Sequence, residues 1–527
     1  MTVLGVVGGG TMGAGIAQLG CQSGLETRLV DASEVALEKA RAAVERGLEK
    51  AAAKGRAEAG ALERLTTTTS LADLAGCDVV IEAVPEELAL KQRVLTEVAG
   101  VVGDAAVLAT NTSSIPVTHV AAGVPGPERV VGMHFFNPAP VMRLVEVIAG
   151  VETSAATVET AARLGEALGK RVVHADDGPG FLVNRCNRPF QLEALTALRD
   201  GLADAPTIDR IVRLGGGFRM GPFELMDLVG IDVGFEVARS FHTLSFGEPR
   251  WRPSPLHARL AASGRHGRKT GRGWYAYDPA LADAQAPLHH STTGAPADPE
   301  PAGEPPEGDG LIVIAGGSAL AEELFYAAAE AGWDVTTPEE AAGDVPFLAL
   351  DLDPEGEEEV PIQGGPQALL CAGASLASLE GDGPAIGFHA LPPLATTHLV
   401  ELTRGPSSAA AARAAEHFFA TLGKEVAWVR DAPGLVLGRI VAQLVNEAAF
   451  ALGEGVGSAE DIDAGMVLGL NHPRGPLEWA DAIGLDHVTE ILTGLRAETG
   501  DERYRLAPAL RRALALGLTF SKAEPLD

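Results

Sequence analysis

Short apolar runs alternate with longer amphipathic stretches over the first third of the chain. The apolar runs predict buried strands at 3–7, 27–30, 78–84, 106–110, 129–136 and 144–148. A helical pattern follows the first run over 11–23, and helix-like segments lie between most of the other runs. Alternation of this kind predicts a mostly parallel, doubly wound α/β sheet of the Rossmann type.

The strand signals fade after about Gly178, and the pattern becomes helical. Periodic apolar positions over 187–199 and 208–214 predict an all-α domain. We therefore expect a Rossmann domain over 1–185 and a helical domain over 186–277. Residues 278–310 are rich in proline, alanine, glycine and acids, which predicts a disordered linker.

The second half of the chain repeats the first. Three segments recur in the same order, and the matched pairs are 132–150 with 387–405, 168–185 with 422–439, and 221–232 with 475–486. We therefore expect a degenerate Rossmann-like domain over 311–430 and a second helical domain over 431–527.

The charge balance is strongly acidic, with 41 Lys and Arg against 71 Asp and Glu and a net charge of −30. Such a surface repels nucleic-acid phosphates and anionic lipids, so we expect neither partner. The apolar N-terminal stretch lacks a basic start and is broken by glycines, which argues against a signal peptide. No run reaches the roughly 18 apolar residues of a membrane helix. Four widely spaced cysteines predict neither disulfides nor a metal clamp, as in a cytoplasmic protein.

A glycine-rich turn lies between the first strand and the first helix, with the sequence Gly8-Gly9-Gly10-Thr11-Met12-Gly13. This spacing allows a tight turn, close approach of a pyrophosphate and close helix–strand packing, with the helix N-terminus facing the anion. Asp31 ends the second strand, where an acid binds the adenosine ribose and repels a 2′-phosphate. The pattern predicts NAD rather than NADP; the alternative is a structural turn with an incidental aspartate.

His134 ends a predicted strand, and Glu146 lies twelve residues later in the next one. Oxidation of an alcohol needs a base for the hydroxyl proton, and a histidine backed by a carboxylate suits that task near neutral pH. Taken alone, a histidine at the end of a strand is more often structural.

Polar residues follow two further elements. Asn111-Thr112-Ser113-Ser114 comes after an apolar strand, and Asn184 lies where the sheet domain gives way to helices. Their hydroxyl and amide groups are suited to hold a substrate oxygen as it becomes a carbonyl. The alternative for each residue is a turn or a helix cap.

These motifs resemble the L-3-hydroxyacyl-CoA dehydrogenase family over residues 1 to about 277. The resemblance rests on GGGTMGAGIAQ, IEAVPEELALK, NTSS, HFFNPAPVMRLVEV, GPGFLVNR, GPFELMDLVG and GRKTGRGWY, in the order of the family. It implies reversible oxidation of a 3-hydroxyacyl-CoA to the 3-oxoacyl-CoA with NAD and without a metal. The two-copy layout more narrowly resembles the long phenylacetate-pathway 3-hydroxyadipyl-CoA and 3-hydroxybutyryl-CoA dehydrogenases.

The resemblance also implies roles for individual residues. His134 is the implied base with Glu146 as its partner, and Asn137 lies in the active site. Ser113 and Asn184 lie around the substrate hydroxyl and thioester, and Asn111 is assigned to the cofactor site. It implies that Glu86 and Lys91 lie near the nicotinamide ribose or the substrate; without it, we would interpret them as a solvated helix start.

The second copy has lost most of these residues. Its glycine turn is interpreted as 315–320, with Leu320 in place of the third glycine, where a bulky side chain should push the helix off the strand. The NTSS segment becomes 372–375, Asn137 becomes Pro392, and Asn184 becomes Gly438.

Only His389 and Glu401 keep their twelve-residue separation. The pair is either inherited packing or a second site. Single-copy relatives dimerise through their helical domains, so we expect the two helical domains here to pack as a dimer within one chain. A dehydrogenase acting on hydroxy acids without CoA, and a non-catalytic NAD-binding protein, are the alternative functions.

Overall fold

The computed structural model describes residues 2–277, 298, 305–341, 343–354, 364–379, 385–406 and 408–520. Most of the predicted linker, 278–310, lies outside these residues. The chain forms two compact units, Met1–Arg185 with Glu454–Leu470, and Cys186–Gly453 with Asn471–Asp527. The first boundary falls where the sequence predicts the helical domain to begin, and the five-domain division itself stays a prediction.

The first unit contains an eight-stranded sheet of order β3-β2-β1-β4-β5-β6-β7-β8. Its strands are β1 (Val3–Val7), β2 (Glu26–Val30), β3 (Leu65–Thr68), β4 (Val79–Glu82), β5 (Val107–Thr110), β6 (Val130–Phe135), β7 (Leu144–Ala149) and β8 (Arg171–Asp176). Its helices are α1 (Thr11–Gln22), α2 (Glu34–Ala52), α3 (Leu88–Ala99), α4 (Val117–Ala121), α5 (Ala155–Ala167) and the short α6 (Val183–Cys186). The predicted Rossmann-type sheet is confirmed.

One pair of neighbouring strands in this sheet is antiparallel. All other neighbours run parallel, but β6 and β7 run in opposite directions, with His134 directly across from Glu146. Directly opposed residues of an antiparallel pair have their side chains on the same face. The antiparallel pairing of β6 and β7 therefore brings the two predicted catalytic residues together.

A helix from the far end of the chain, Ala459–Leu470, also belongs to the first unit. Two glycines let it approach closely: a Cβ on Gly465 would lie 2.7 Å from a methyl of Val183, and one on Gly469 would lie 2.9 Å from a methyl of Leu144. Arg171 of β8 forms ion pairs with Glu460 and Asp461 at the start of this helix. A helix of the second copy thus packs against β7 and β8 of the first sheet.

The second unit begins with helices that follow the first sheet domain in the chain, and it contains a second sheet. The helices are α7 (Arg188–Arg199), α8 (Ala205–Arg210), α9 (Pro222–Val229), α10 (Ile231–Leu244) and α11 (Pro255–Ala262). The sheet has the order β10-β9-β11-β12-β13-β14-β15, with strands β9 (Leu311–Ala315), β10 (Asp334–Thr336), β11 (Leu348–Asp351), β12 (Gln367–Leu370), β13 (Ala385–His389), β14 (Leu399–Arg404) and β15 (Glu425–Trp428). This sheet confirms the predicted degenerate copy.

The remaining helices repeat the pattern of the first half. They are α12 (Ala319–Glu330), α13 (Leu376–Leu379), α14 (Ala409–Thr421), α15 (Leu437–Gly453), α16 (the helix Ala459–Leu470 of the first unit), α17 (Pro476–Ile483), α18 (Leu485–Thr499) and α19 (Pro508–Leu516). In the second unit α7 packs against α15. A buried ion pair of 2.7 Å joins Glu193 of α7 to Arg439 of α15, and Tyr504 donates to the same Glu193 oxygen.

Candidate active site

The glycine turn has the conformation that a dinucleotide site needs. Gly8 has φ +113°, and a Cβ there would lie 2.6 Å from the carbonyl oxygen of Ala83. A Cβ on Gly13 would lie 1.8 Å from the Gly8 oxygen, whereas one on Gly10 would meet nothing within 4 Å. No side chain caps α1, which begins at Thr11, so no side chain occupies its N-terminal amides. The turn therefore fits a pyrophosphate.

Asp31 follows β2 and is fixed beside this turn. Its Oδ2 accepts a 2.7 Å hydrogen bond from the Gly9 amide, and its Oδ1 accepts one of 2.9 Å from Ser33. The carboxylate thus lies where the sequence predicts the adenosine ribose, and the site fits NAD.

His134 and Glu146 form a buried pair. His134 Nδ1 lies 2.5 Å from Glu146 Oε2, with 5 % of the His134 residue and none of Glu146 exposed. The imidazole packs against Phe136 and Phe181, with ring centroids 4.7 and 5.9 Å away. A carboxylate that accepts from Nδ1–H fixes the tautomer and leaves Nε2 to take up a proton.

Glu146 is itself held by the backbone. Its Oε1 accepts hydrogen bonds of 3.1 and 2.9 Å from the amides of Leu182 and Val183. Two backbone amides thus hold this oxygen in place. The next residue is Asn184, which is half-buried in α6. The contact between Glu146 and these amides therefore fixes the backbone that carries Asn184.

The polar loop after β5 lies beside the end of β6. Asn111 Oδ1 accepts a 2.9 Å hydrogen bond from the amide of Phe135, which follows His134. Ser113 and Asn137 are both exposed, and each follows the carboxyl end of its strand. In parallel sheets such ends carry the ligand-binding loops.

Glu86 organises this loop. Its Oε1 accepts from the hydroxyls of Thr112 and Ser114 and from the amides of Ser113 and Ser114, at 2.7 to 2.9 Å. Burial opposes ionisation of Glu86, but Lys91 and these donors outweigh it, so the pKa of Glu86 is lowered.

Lys91 is 1 % exposed, so the solvated interpretation of this residue is wrong. Its ammonium lies 3.0 Å from Glu82 and 3.2 Å from Glu86. Its ammonium group thus contacts carboxylates of the protein, and its place in the cofactor site stays a prediction.

Two carboxylates of this unit escaped the sequence analysis. Glu82 ends β4, is fully buried, and binds Lys91 and the Thr110 hydroxyl. Asp177 accepts from the first two amides of α4, at 2.7 Å each. The apolar residues before Glu82 were the available signal, because an acid in a buried strand needs a partner.

The second glycine turn differs from its predicted alignment. Gly316, with φ +101°, follows β9 as Gly8 follows β1, and α12 begins three residues later, as α1 does. Ala321 therefore occupies the position of Gly13, and the assignment of Leu320 to that position is wrong. Ser318 Oγ accepts from the Ala321 amide, so a side chain uses a helix amide that is uncapped in the first copy.

Strand pairing also corrects the NTSS counterpart. Thr110 lies beside Gly132, and Leu369 lies beside the matching Gly387. Ser113 therefore corresponds to Ala372, and the NTSS segment to 370–373 rather than 372–375. The sequence comparison missed this shift because the segment has no shared residue to fix the register, but the hydroxyl is lost in either alignment.

The second histidine has lost its carboxylate partner. The two carboxylate oxygens of Glu401 accept hydrogen bonds from the amides of Val436 and Leu437. Burial raises the pKa of Glu401 to about 8. His389 Nε2 lies 3.3 Å from His487 Nε2, and its Nδ1 has no partner among the described residues. Burial and the neighbouring imidazole lower the pKa of His389. This geometry is that of inherited packing.

Within the described parts of the chain, no three His, Cys, Asp or Glu side chains are grouped as metal ligands. None of the helices found there is long and apolar enough to cross a membrane. The four cysteines are buried free thiols.

Comparison with known proteins agrees with this geometry. Residues 3–178 match the family described as "3-hydroxyacyl-CoA dehydrogenase, NAD binding domain", and residues 180–277 and 434–524 match its "C-terminal domain". The chain is 34 % identical to 3-hydroxyadipyl-CoA dehydrogenase of Escherichia coli K12 over 97 % of each chain. It is 39 % identical to human mitochondrial hydroxyacyl-coenzyme A dehydrogenase, over 52 % of this chain and 90 % of that protein.

Solved structures give the same result. A crystal structure of 3-hydroxybutyryl-CoA dehydrogenase from E. coli K12 matches with a TM-score of 0.75 and 32 % identity, over 98 % of both chains. (S)-3-hydroxybutyryl-CoA dehydrogenase from Ralstonia eutropha matches with a TM-score of 0.51 and 41 % identity, over 53 % of this chain and 99 % of that one. The chain therefore belongs to the 3-hydroxyacyl-CoA dehydrogenase family of NAD-dependent oxidoreductases.

Proposed function

We propose that this chain oxidises L-3-hydroxyacyl-CoA to 3-oxoacyl-CoA at one site, formed by the first copy. The observation that carries the proposal is the buried His134–Glu146 pair in the unit with the open glycine turn. In the second copy, His389 contacts another histidine instead of a carboxylate, and Ser318 caps the helix after the glycine turn. We therefore assign no reaction to the second copy.

His134 acts as the base in this proposal. With Nδ1–H directed at Glu146, its Nε2 accepts the proton of the 3-hydroxyl group as the alcohol becomes a carbonyl. Glu146 stabilises the resulting imidazolium, and the amides of Leu182 and Val183 hold the Glu146 carboxylate in position. A base of this kind contributes about 10²- to 10⁴-fold to the rate.

The other residues hold the reactants. Gly8, Gly10 and Gly13 would shape the turn around the pyrophosphate, and Asp31 would bind the adenosine ribose. Bound NAD would accept the hydride from carbon 3 of the substrate. Ser113, Asn137 and Asn184 would donate to the substrate oxygens, and Asn111 and Glu86 would keep the loop of Ser113 in position.

The proposal extends to substrate, compartment and assembly. The substrates are those in the relatives' names, 3-hydroxyadipyl-CoA or 3-hydroxybutyryl-CoA. The compartment is the cytoplasm, which four unpaired thiols favour. The assembly is a pseudo-dimer of the two helical domains within one chain, which the α7–α15 packing supports.

The test is NADH formation from 3-hydroxybutyryl-CoA, 3-hydroxyadipyl-CoA and free 3-hydroxybutyrate. We expect turnover of at least one thioester and none of the free acid. Turnover of the free acid at an equal rate would favour the dehydrogenase that does not use CoA. Absence of turnover with all three, while NAD binds, would favour the non-catalytic protein.

A further inference from the structure

A pocket within the second unit is lined by arginines and by apolar side chains. Its volume is about 500 Å³, which lies in the range of small-molecule sites. The charged residues that line it are Arg496, Arg505, Arg511 and Arg512. The apolar ones are Phe450, Leu506 and Pro508. Among the described residues no carboxylate lines this pocket, although the chain has a net charge of −30. It is thus a cationic pocket on an acidic protein.

Three of the four arginines have no counter-ion in the described part of the chain. Arg505 is paired, because its two terminal nitrogens each lie 3.0 Å from an oxygen of Glu248. Arg496, Arg511 and Arg512 are exposed, and no described carboxylate forms an ion pair with them. A guanidinium is always charged in a protein. Three unpaired charges at one pocket favour an anion with several negative charges over a single carboxylate.

Phe450 forms an apolar floor in this pocket. The residue is only 6 % exposed. The Cζ of Arg250 lies 3.8 Å from its ring centroid, and that of Arg505 lies 5.0 Å from it. Because both guanidinium groups are themselves paired with carboxylates, they hold the ring in place. Together with Leu506 and Pro508, the ring offers an apolar surface that suits a nucleotide base better than an inorganic anion.

The first copy lacks this arrangement at the matching positions. Segment 184–201 aligns with 438–455 without a gap, α10 and α18 begin at matching residues, and α11 and α19 both begin at a proline. In this alignment Phe450, Arg496 and Arg511 stand where the first copy has Thr196, His242 and Ala258. The second copy thus has an aromatic ring and two cations that the first copy lacks. Packing inherited from a common ancestor does not explain them.

We propose that this pocket binds the diphosphate group of an adenine nucleotide. Arg496 from α18, with Arg511 and Arg512 from α19, binds the phosphate oxygens, and the apolar floor contacts the base. Guanidinium groups suit phosphates because they donate two parallel hydrogen bonds to them. The diphosphate has two possible sources, a free nucleotide and the nucleotide part of CoA. The pocket contains no residue of the His134 site, so the inference does not rest on the proposed function.

The experiment is isothermal titration calorimetry of the full chain with ADP, at pH 8 and with excess NAD to occupy the glycine turn. The test variant combines Arg496→His and Arg511→Ala, which introduce the residues of the first copy at exposed positions. We expect its affinity for ADP to fall about 10- to 100-fold, the usual effect of losing hydrogen bonds to a charged group. Arg259→Ala is the matched control, because Arg259 is exposed and occupies the position of Arg512 in the first copy. It should leave the affinity unchanged.

Titration of CoA distinguishes the two sources. A larger loss of affinity for CoA than for ADP in the double variant would assign the pocket to CoA, whose 3′-phosphate adds charge. An equal or smaller loss would assign it to a free nucleotide.

Three results would overturn the inference. The first is equal affinity for ADP in the wild type and the folded double variant, which would place the nucleotide elsewhere. The second is pyrophosphate binding as tightly as ADP, which would leave the apolar floor without a role. The third is a wild-type Kd above about 1 mM for both ADP and CoA.

Discussion

Glu146 connects two parts of the active site through its two oxygens. Oε2 meets His134, and Oε1 meets the amides in front of Asn184. In Glu146→Gln the side chain keeps its shape but loses its charge. Its NH2 group, which cannot accept a hydrogen bond, has to face either the imidazole or the two backbone N–H donors. We expect kcat to fall about 10²- to 10⁴-fold.

Isothermal titration calorimetry of NAD binding is the control for Glu146→Gln. NAD binding should be unchanged, because Glu146 lies outside the glycine turn. An unchanged kcat in a folded, NAD-binding variant would mean that Glu146 only packs the interior.

Glu86 makes the stability of the loop after β5 depend on pH. Its folded-state pKa is lowered, so its ionised form stabilises the fold above the ordinary value of 4.5. That contribution is lost as the pH falls below 4.5 through the folded-state pKa. We expect urea unfolding to show a smaller loss of stability between pH 6 and pH 3 in Glu86→Gln than in the wild type. Equal losses of stability in the two proteins would show that Lys91 does not stabilise the ionised form of Glu86.

At the level of elements, no side chain caps the N-terminus of α1, which follows the first glycine turn, so its amides are left for a ligand. Gly10→Ser would introduce the capping serine of the second copy, at a position with no heavy atom within 4 Å. We expect NAD binding to weaken at least about tenfold, since the serine competes for an amide that would bind an anion. Stability should change by only a few tenths of a kcal/mol.

The reciprocal variant, Ser318→Gly, is the matched control for this turn. Titration should still give one NAD per chain, because Ala321 keeps a Cβ where Gly13 has none. A second bound NAD would show that the serine alone had closed the second site.

The sequence predicted those elements whose apolar residues form unbroken runs. β4 is buried throughout and β1 is buried at every residue after Val3, so their apolar runs were visible. Two strands of the first sheet were missed: β3 is mostly threonine with one exposed position, and β8 has three exposed residues and three buried ones. Their strand character depends on sheet neighbours that no local pattern contains.

The site was predicted as a set of residues but not as a network. Spacing and motif indicated His134 and Glu146, yet the antiparallel pairing of β6 and β7 that joins them was not predicted. The burial of Lys91 was likewise missed, because its partners, two carboxylates and one carbonyl oxygen, come from the end of β4 and the loop before α3. Contacts that exist only in the folded chain decide such roles.

At the scale of the whole molecule, the first copy depends on the second. Nearly every residue of α7 is buried, and α15 packs against it. The helix Ala459–Leu470 lies on Val183 and Leu144 of the first unit. A fragment that ends at Gly310 would expose both surfaces. We expect it to associate or aggregate in size-exclusion chromatography with light scattering. A soluble, fully active monomer would contradict the pseudo-dimer.

The central claim is that one imidazole, His134, removes the proton, while its repeat counterpart His389 does not. The most direct measurement is kcat for NADH formation by His134→Asn and His389→Asn, each checked for folding and NAD binding. The account predicts a fall of about 10²- to 10⁴-fold in the first variant and turnover near the wild-type value in the second. Near-normal turnover of His134→Asn, or an equal loss in both variants, would contradict it.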